Sequence, residues 1–260
     1  MVPEEEERSE DIEYPADVRR LVVLGDPHGD VLGLELVLER ERRPGVAFVS
    51  VGDNVGHADG ELSSHFCALL VEHDIPSVFG NHEDWIHDGK LLLVRGGLSR
   101  ALTTEAHLWC QTLPYRLRLR FAAAPGLAVH VVHSFRGWRY VDAGSAPRLL
   151  AREEEADVVF CGHTHRPALY AEEPLGAEAD AQRFDPRRKR PLLVERDPRR
   201  RYVVDAGSLA FPERVRGGPC PDRATYAALD LERGRIELHA VDKGPRLRAL
   251  FAASADEGPR

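Results

Sequence analysis

The chain has 260 residues, 43% of them hydrophobic, with four cysteines and a formal net charge of −8. Its length and apolar content suffice for one large domain or two small ones with a substantial core. The acidic balance disfavours nucleic acid as a partner, and no apolar stretch approaches the roughly eighteen residues of a membrane span. The acidic N-terminus is unlike a secretory signal. Cys67, Cys110, Cys161 and Cys220 are widely spaced and form no C-x-x-C pair. They point to buried thiols in a reducing, cytoplasmic setting.

Residues 1–17 are Glu-rich without an apolar period, which predicts a disordered tail ahead of a single domain over 18–260. Apolar runs at Leu21–Leu24, Val46–Val51, Ile75–Phe79, Leu127–Val132 and Val158–Cys161 read as buried strands. Between them, Asp30 is placed to cap a helix through Val31, Leu34, Val37 and Leu38. Further helices are expected over 60–73, 103–112 and 146–156. Arg116–Phe121 alternates charged and apolar residues, the pattern of a half-exposed strand. Strand candidates at Arg201–Asp205, Ala224–Leu229 and Arg235–Val241 make the second half β-rich. The basic insert at about 171–200 holds two Asp-Pro-Arg-Arg turns, at Asp185 and Asp197, flanking a short strand over 191–195. Its arginines are expected to form a solvated hairpin. The alternation of strands and helices indicates an α/β fold.

Each of the first five apolar runs is followed by residues that bind metals: Asp26 and His28; Asp53; Asn81, His82 and Glu83; His133; His163 and His165. Four of these clusters begin with Gly, which suits a sharp turn at a strand end. Ligands at several such ends can converge on one crevice. In an extended segment, Asp26 with His28 and His163 with His165 each face one side. Asp53 has two oxygens to share between ions. The mixed nitrogen and oxygen set, without thiolate, suits two divalent ions, Mn²⁺ first and Fe, Zn²⁺, Co²⁺ or Ni²⁺ as alternatives. Two such ions point to phosphate ester chemistry.

The series Asp26-x-His28, Gly52-Asp53, Gly80-Asn81-His82-Glu83, His133 and Gly162-His163-x-His165 resembles the calcineurin-like metallophosphoesterase superfamily. Asp205-Ala206-Gly207-Ser208 further resembles the Asn-Pro-Gly-Ser signature of its small prokaryotic phosphodiesterases. The resemblance implies a four-layer α/β/β/α sandwich of two mixed β-sheets flanked by helices. It implies that Asp26, His28, Asp53 and His165 hold one metal, and Asp53, Asn81, His133 and His163 the other. It also implies in-line attack on phosphorus by a hydroxide bridging the metals. His82, beyond the direct ligands, would act as general acid for the leaving group, and Asn81 could also touch the phosphate. The expected substrate is a small organic phosphate or nucleotide-like phosphodiester, with monoesters as a second class.

The chain departs from that pattern at three places. Val55-Gly56-His57-Ala58 stands where the phosphoprotein phosphatases carry Val-Asp-Arg-Gly, so a phosphate-binding Arg and a paired Asp are missing. Ser134 replaces a Gly after His133, and Asp205-Ala206 replaces Asn-Pro. His57, Arg136 and Trp138 are candidate substrate contacts, with a solvated loop or a core edge as the plainer readings. Three other functions remain open on sequence grounds: a non-catalytic scaffold or regulator on the same fold, a phosphoprotein or nucleotide phosphatase, and a nuclease subunit.

Overall fold

A computed structural model describes residues 8–56, 60–87, 102–135, 137–173, 178–214 and 218–249. Two mixed sheets carry the architecture. The five-stranded sheet has the order β3 (Val46–Ser50), β2 (Arg20–Leu24), β11 (Arg223–Asp230), β12 (Arg235–Asp242), β9 (Leu192–Glu195). The seven-stranded sheet runs β1 (Ser9–Tyr14), β4 (Arg116–Phe121), β5 (Ala128–Val132), β6 (Val158–Cys161), β10 (Tyr202–Asp205), β7 (Ala168–Ala171), β8 (Asp180–Arg183).

The two-residue period of a strand decides the layers. In β2, Leu21 and Val23 enter the core between the sheets, whereas Val22 and Leu24 face the outer side. There they meet Leu34 and Val37 of α1 (Val31–Glu41) and Phe66 and Leu70 of α2 (Gly60–Glu72). In β6, Val158 and Phe160 face inward and Val159 and Cys161 outward. Leu149 and Leu150 of α5 (Ala146–Arg152) cover that outer face. The order is therefore helix, sheet, sheet, helix, as expected. Asp30 caps α1 by accepting from the Gly33 amide, and Thr103 caps α4 (Thr104–Thr112) by accepting from that of Ala106.

Four expectations change. Residues 9–14 are not a tail: β1 pairs in parallel with β4 over six residues, and Tyr14 stacks on Phe121. Its acidic residues Glu10, Asp11 and Glu13 are all exposed at this sheet edge, while Ile12 and Tyr14 are half-buried. The run Ile75–Phe79 is not a strand. Pro76 has no amide to donate, and only one bridge, Ser50 to Ser77, forms beside β3. A turn was expected at Asn81, but a short helix, α3 (Asn81–His87), begins there. The expected solvated hairpin within 171–200 instead lends an edge strand to each sheet, β8 to one and β9 to the other. Both Asp-Pro-Arg-Arg copies fold as the same turn, with the Asp carboxylate accepting from the amide two residues on.

The strands that carry ligands run side by side in parallel: β2 with β3 in one sheet, and β5 with β6 and β10 in the other. Parallel neighbours end at the same edge. At that edge the sheets are tied together by the Asp26–Ser208 bridge and by His133, whose Nδ1 lies 2.9 Å from the Val51 carbonyl. Removing residues 1–15 is expected to lower the thermal midpoint by on the order of 5 °C, because it strips an edge strand. A calorimetric scan of the truncated chain checks this, and a true tail would leave the midpoint unmoved.

Candidate metal centre

All the expected ligands meet at that edge. Two trios of ligand atoms each lie within 4.8 Å of one another: His28, Asp53 and His82, and Asp53, His133 and His163. Asp53 belongs to both. His28 Nε2 and His165 Nε2 are 2.9 Å apart, and His133 Nε2 is 3.0 Å from Asn81 Oδ1 and 3.4 Å from Asp53 Oδ2. His165 Nε2 lies 3.6 Å from Asp26 Oδ2. Ligand atoms bonded to one ion at about 2.0–2.2 Å stand about 3 Å apart, so this spacing fits a metal.

Three histidines each turn one ring nitrogen to a backbone carbonyl. His133 Nδ1 faces Val51, His28 Nδ1 faces Val55 at 3.4 Å, and His163 Nε2 faces Trp138 at 2.9 Å. A carbonyl accepts, so the nitrogen facing it carries the proton. The opposite nitrogen then presents a lone pair to the centre, the usual way a ligand histidine is oriented. Burial keeps this form neutral, pulling His133 and His163 down to about 4.

The carboxylates are less at ease. Burial pushes Asp53 up to about 8, Glu83 to about 7 and Asp205 to about 8. Asp26 is driven well above the carboxylate range, first by burial and then by Asp53. Its Oδ1 is buried with no hydrogen-bond partner among the described residues. Cations in this pocket would relieve all of these costs. The donors present therefore fit divalent metals.

Backbone strain marks the same residues. His28, Asp53, His163 and His165 all have positive φ, between 48° and 72°. For a side chain with a Cβ that region costs about 1–3 kcal/mol, and it persists where surrounding structure enforces it. Glycine relieves crowding nearby. A Cβ on Gly162 would sit 2.2 Å from Asp26 Oδ1, and one on Gly56 would sit 2.1 Å from His82 Nδ1.

The residues that enforce the strain carry little sequence signal as ligands. The Glu83 carboxylate accepts from the amides of Asp53, Asn54 and Gly80 at 3.0, 2.7 and 2.8 Å, clamping the turn that presents Asp53. Asp205 accepts from Thr164 Oγ1 at 2.5 Å and from the Gly207 amide, fixing the loop between His163 and His165. The hydroxyl of Ser208 donates to the Asp26 carbonyl at 2.7 Å. The positions of Glu83 beside Asn81-His82 and of Asp205 at a strand end were visible; their roles depend on loops folding back.

His82 is buried, and its amide donates to Asp53 Oδ1 at 2.9 Å. Its Nε2 lies 4.0 Å from Asp53 Oδ2, the same distance as that of His28. It is thus nearer the ligand atoms than a residue set beyond them would be. Trp138 lies at the rim, its Nε1 donating to Asp84 Oδ2 and its ring edge-on to His133 at 5.5 Å. His57 and Arg136 fall outside the described residues.

Replacing Glu83 by Gln removes the charge that holds four amides and is expected to weaken metal affinity about 10–100-fold, measured by chelator competition. Stability should also follow pH in the metal-free protein. A carboxylate raised to about 8, like Asp53 or Asp205, stabilises below its unfolded value near 4 and loses that contribution as pH rises through 8. The lowered histidines act oppositely, but their contribution is complete above about 6.5. Between pH 7 and 9 the metal-free thermal midpoint should therefore fall, and saturating Mn²⁺ should abolish the fall.

Among known proteins, the model of the calcineurin-like phosphoesterase family matches residues 19–167. A solved metallophosphoesterase from Sphaerobacter thermophilus is 24% identical, covering 86% of this chain and 88% of its own, with a TM-score of 0.63. The hypothetical protein PH1004 from Pyrococcus horikoshii OT3 is 15% identical over 93% of this chain and 94% of its own, with a TM-score of 0.57. A provisionally assigned diadenosine tetraphosphatase is 19% identical over 90% and 97%, with a TM-score of 0.50. At these identities the likeness is one of fold. No curated protein matches the chain significantly. The family match takes in every candidate ligand from Asp26 to His165, and the chain belongs to the calcineurin-like phosphoesterases, metal-dependent hydrolases of phosphoesters.

Proposed function

We propose that this protein hydrolyses small phosphodiesters, with phosphomonoesters as secondary substrates, at a pair of divalent metals. The observation that carries this reading is Asp53, shared by two trios of donor atoms. Asp26, His28, Asp53 and His165 would hold one ion, and Asp53, Asn81, His133 and His163 the other. Mn²⁺ suits the nitrogen and oxygen donors, as do Fe, Zn²⁺, Co²⁺ and Ni²⁺. When bound, the ions supply Lewis acidity to the phosphoryl oxygens and acidify the attacking water.

The protein's own groups do the rest. The carbonyls at Val51, Val55 and Trp138 hold the histidine rings in one tautomer. Gly56 leaves room for the His82 imidazole, which titrates near neutrality in water and is suited to protonate the leaving alkoxide. The preference for diesters rests on Val55-Gly56-His57-Ala58, which offers no guanidinium to grip a second pair of phosphate oxygens. The inter-sheet core draws on residues from Leu21 to Leu238, with Ile12 and Tyr14 of β1 packed against it, which supports reading the chain from β1 onward as one domain. Four free, buried cysteines support a reducing, cytoplasmic setting.

Purified protein with Mn²⁺ should cleave bis(p-nitrophenyl) phosphate faster than p-nitrophenyl phosphate. Cleavage of neither would overturn the proposal. Replacing His82 by Ala should leave metal content intact and lower kcat about 10²–10⁴-fold, most for poor leaving groups. Loss of a metal from that variant would make His82 a ligand instead. Asp53→Asn should cost both ions.

A further inference from the structure

A cavity of about 500 Å³ adjoins the His28 side of the centre. His28 forms part of its wall, with Val31 of α1, Leu62 of α2, Phe211, Pro221 and Leu247. The wall at Ala210–Phe211 is fastened directly to the ligand loops. Ser208, just before it, holds the Asp26 carbonyl, and the Glu213 amide, just after it, donates to the carbonyl of His165 at 2.7 Å. The cavity therefore adjoins the metal centre through His28.

The wall holds three charged residues, Asp30, Lys243 and the exposed Glu35; the first two neutralise each other, and the Glu35 carboxylate repels phosphate. Lys243 Nζ donates to Asp30 Oδ2 at 2.7 Å and to the carbonyls of Leu209 and Ala210 at 2.9 and 3.2 Å. Those three bonds use all three ammonium protons, and the ion pair cancels Asp30. Neither group is left to bind a second phosphate or to hydrogen-bond a polyol. Leu62 is 47% exposed although it lies beside a buried centre, so apolar surface here faces the opening. A cavity of this size with mostly apolar walls suits an organic group buried beside a few fixed polar atoms.

We propose that this cavity is the subsite for an apolar, aryl-bearing ester group of the substrate, which makes the enzyme selective for hydrophobic phosphoesters over sugar or polyol phosphates. This rests on the phosphoesterase reading of the metal centre. The phosphoryl group sits at the metals and its aryl substituent lies against Phe211 and Leu62, where burial and ring contacts stabilise it.

Phosphonates carry one organic group and are not hydrolysed, so they report on the cavity whichever ester bond is cut. The Mn²⁺-loaded protein is titrated calorimetrically with methylphosphonate and with 1-naphthylphosphonate. The naphthyl compound should bind at least tenfold more tightly. Leu62→Gln and Phe211→Ala should each reduce that ratio below threefold at unchanged metal content. Equal affinity for the two phosphonates overturns the cavity assignment and leaves the phosphoesterase reading standing. A naphthyl preference that survives both substitutions places the ring elsewhere and also overturns it. Failure of a metal-loaded protein to bind either compound overturns the phosphoesterase reading, and the cavity assignment with it.

Discussion

Four carboxylates, Asp26, Asp53, Glu83 and Asp205, are buried together at one edge of the two sheets, and uncompensated buried charge costs several kcal/mol per group. Much of the local structure answers that cost. Backbone amides supply the first compensation: His163 to Asp26, His82 to Asp53, and Gly207 to Asp205. Glu83 takes four amides from two separate loops. An amide can reach such a carboxylate only if its loop folds back over the strand end, so satisfying the charges shapes the loops. Divalent cations bound among these donors would complete the compensation, and the same charges that destabilise the empty site would give it affinity for them.

This arrangement also explains where the strain lies. Of the described non-glycine residues with positive φ, only Asp74 lies away from the centre; the others are His28, Asp53, His163, His165 and Trp138. Each turn must reverse the chain within a residue or two of a buried strand while aiming a ring or carboxylate at one point. The two packed sheets beneath supply the rigidity that holds these turns. A site with its donors fixed before binding loses little order when metal and substrate arrive.

The buried strands were legible in the sequence because an apolar run is a local property. Leu21–Leu24 was legible as a buried strand, while the structure showed that Leu21 and Val23 face one layer and Val22 and Leu24 the other. The ligands were legible for a similar reason, since Asp26, His28, Asp53, Asn81, His133, His163 and His165 each follow a short apolar run. The errors came where a partner elsewhere in the chain decides. The acidic segment 9–14 reads as a solvated tail until β4 offers it an edge. Ile75–Phe79 is a different error, because Pro76 within the run itself cannot donate to a ladder. The structure of α3 follows from its Gly80–Glu83 start meeting the Asp53 turn, a contact between segments thirty residues apart.

The sequence alone determined the α/β layering, the chemistry of the donors and the absence of the Asp-Arg pair after Asp53, because periodicity and residue type need no partner. Tertiary structure decided which nitrogen of His133 and His163 faces the centre, since that depends on the carbonyls of Val51, just past β3, and of Trp138. It decided that Glu83 and Asp205 clamp loops, because Glu83 meets the amides of Asp53 and Asn54 and Asp205 meets the Thr164 hydroxyl. It also opened an apolar cavity beside His28 from helices and loops that the sequence holds apart. Side chains choose the chemistry; packing chooses their orientation and what lies beside them.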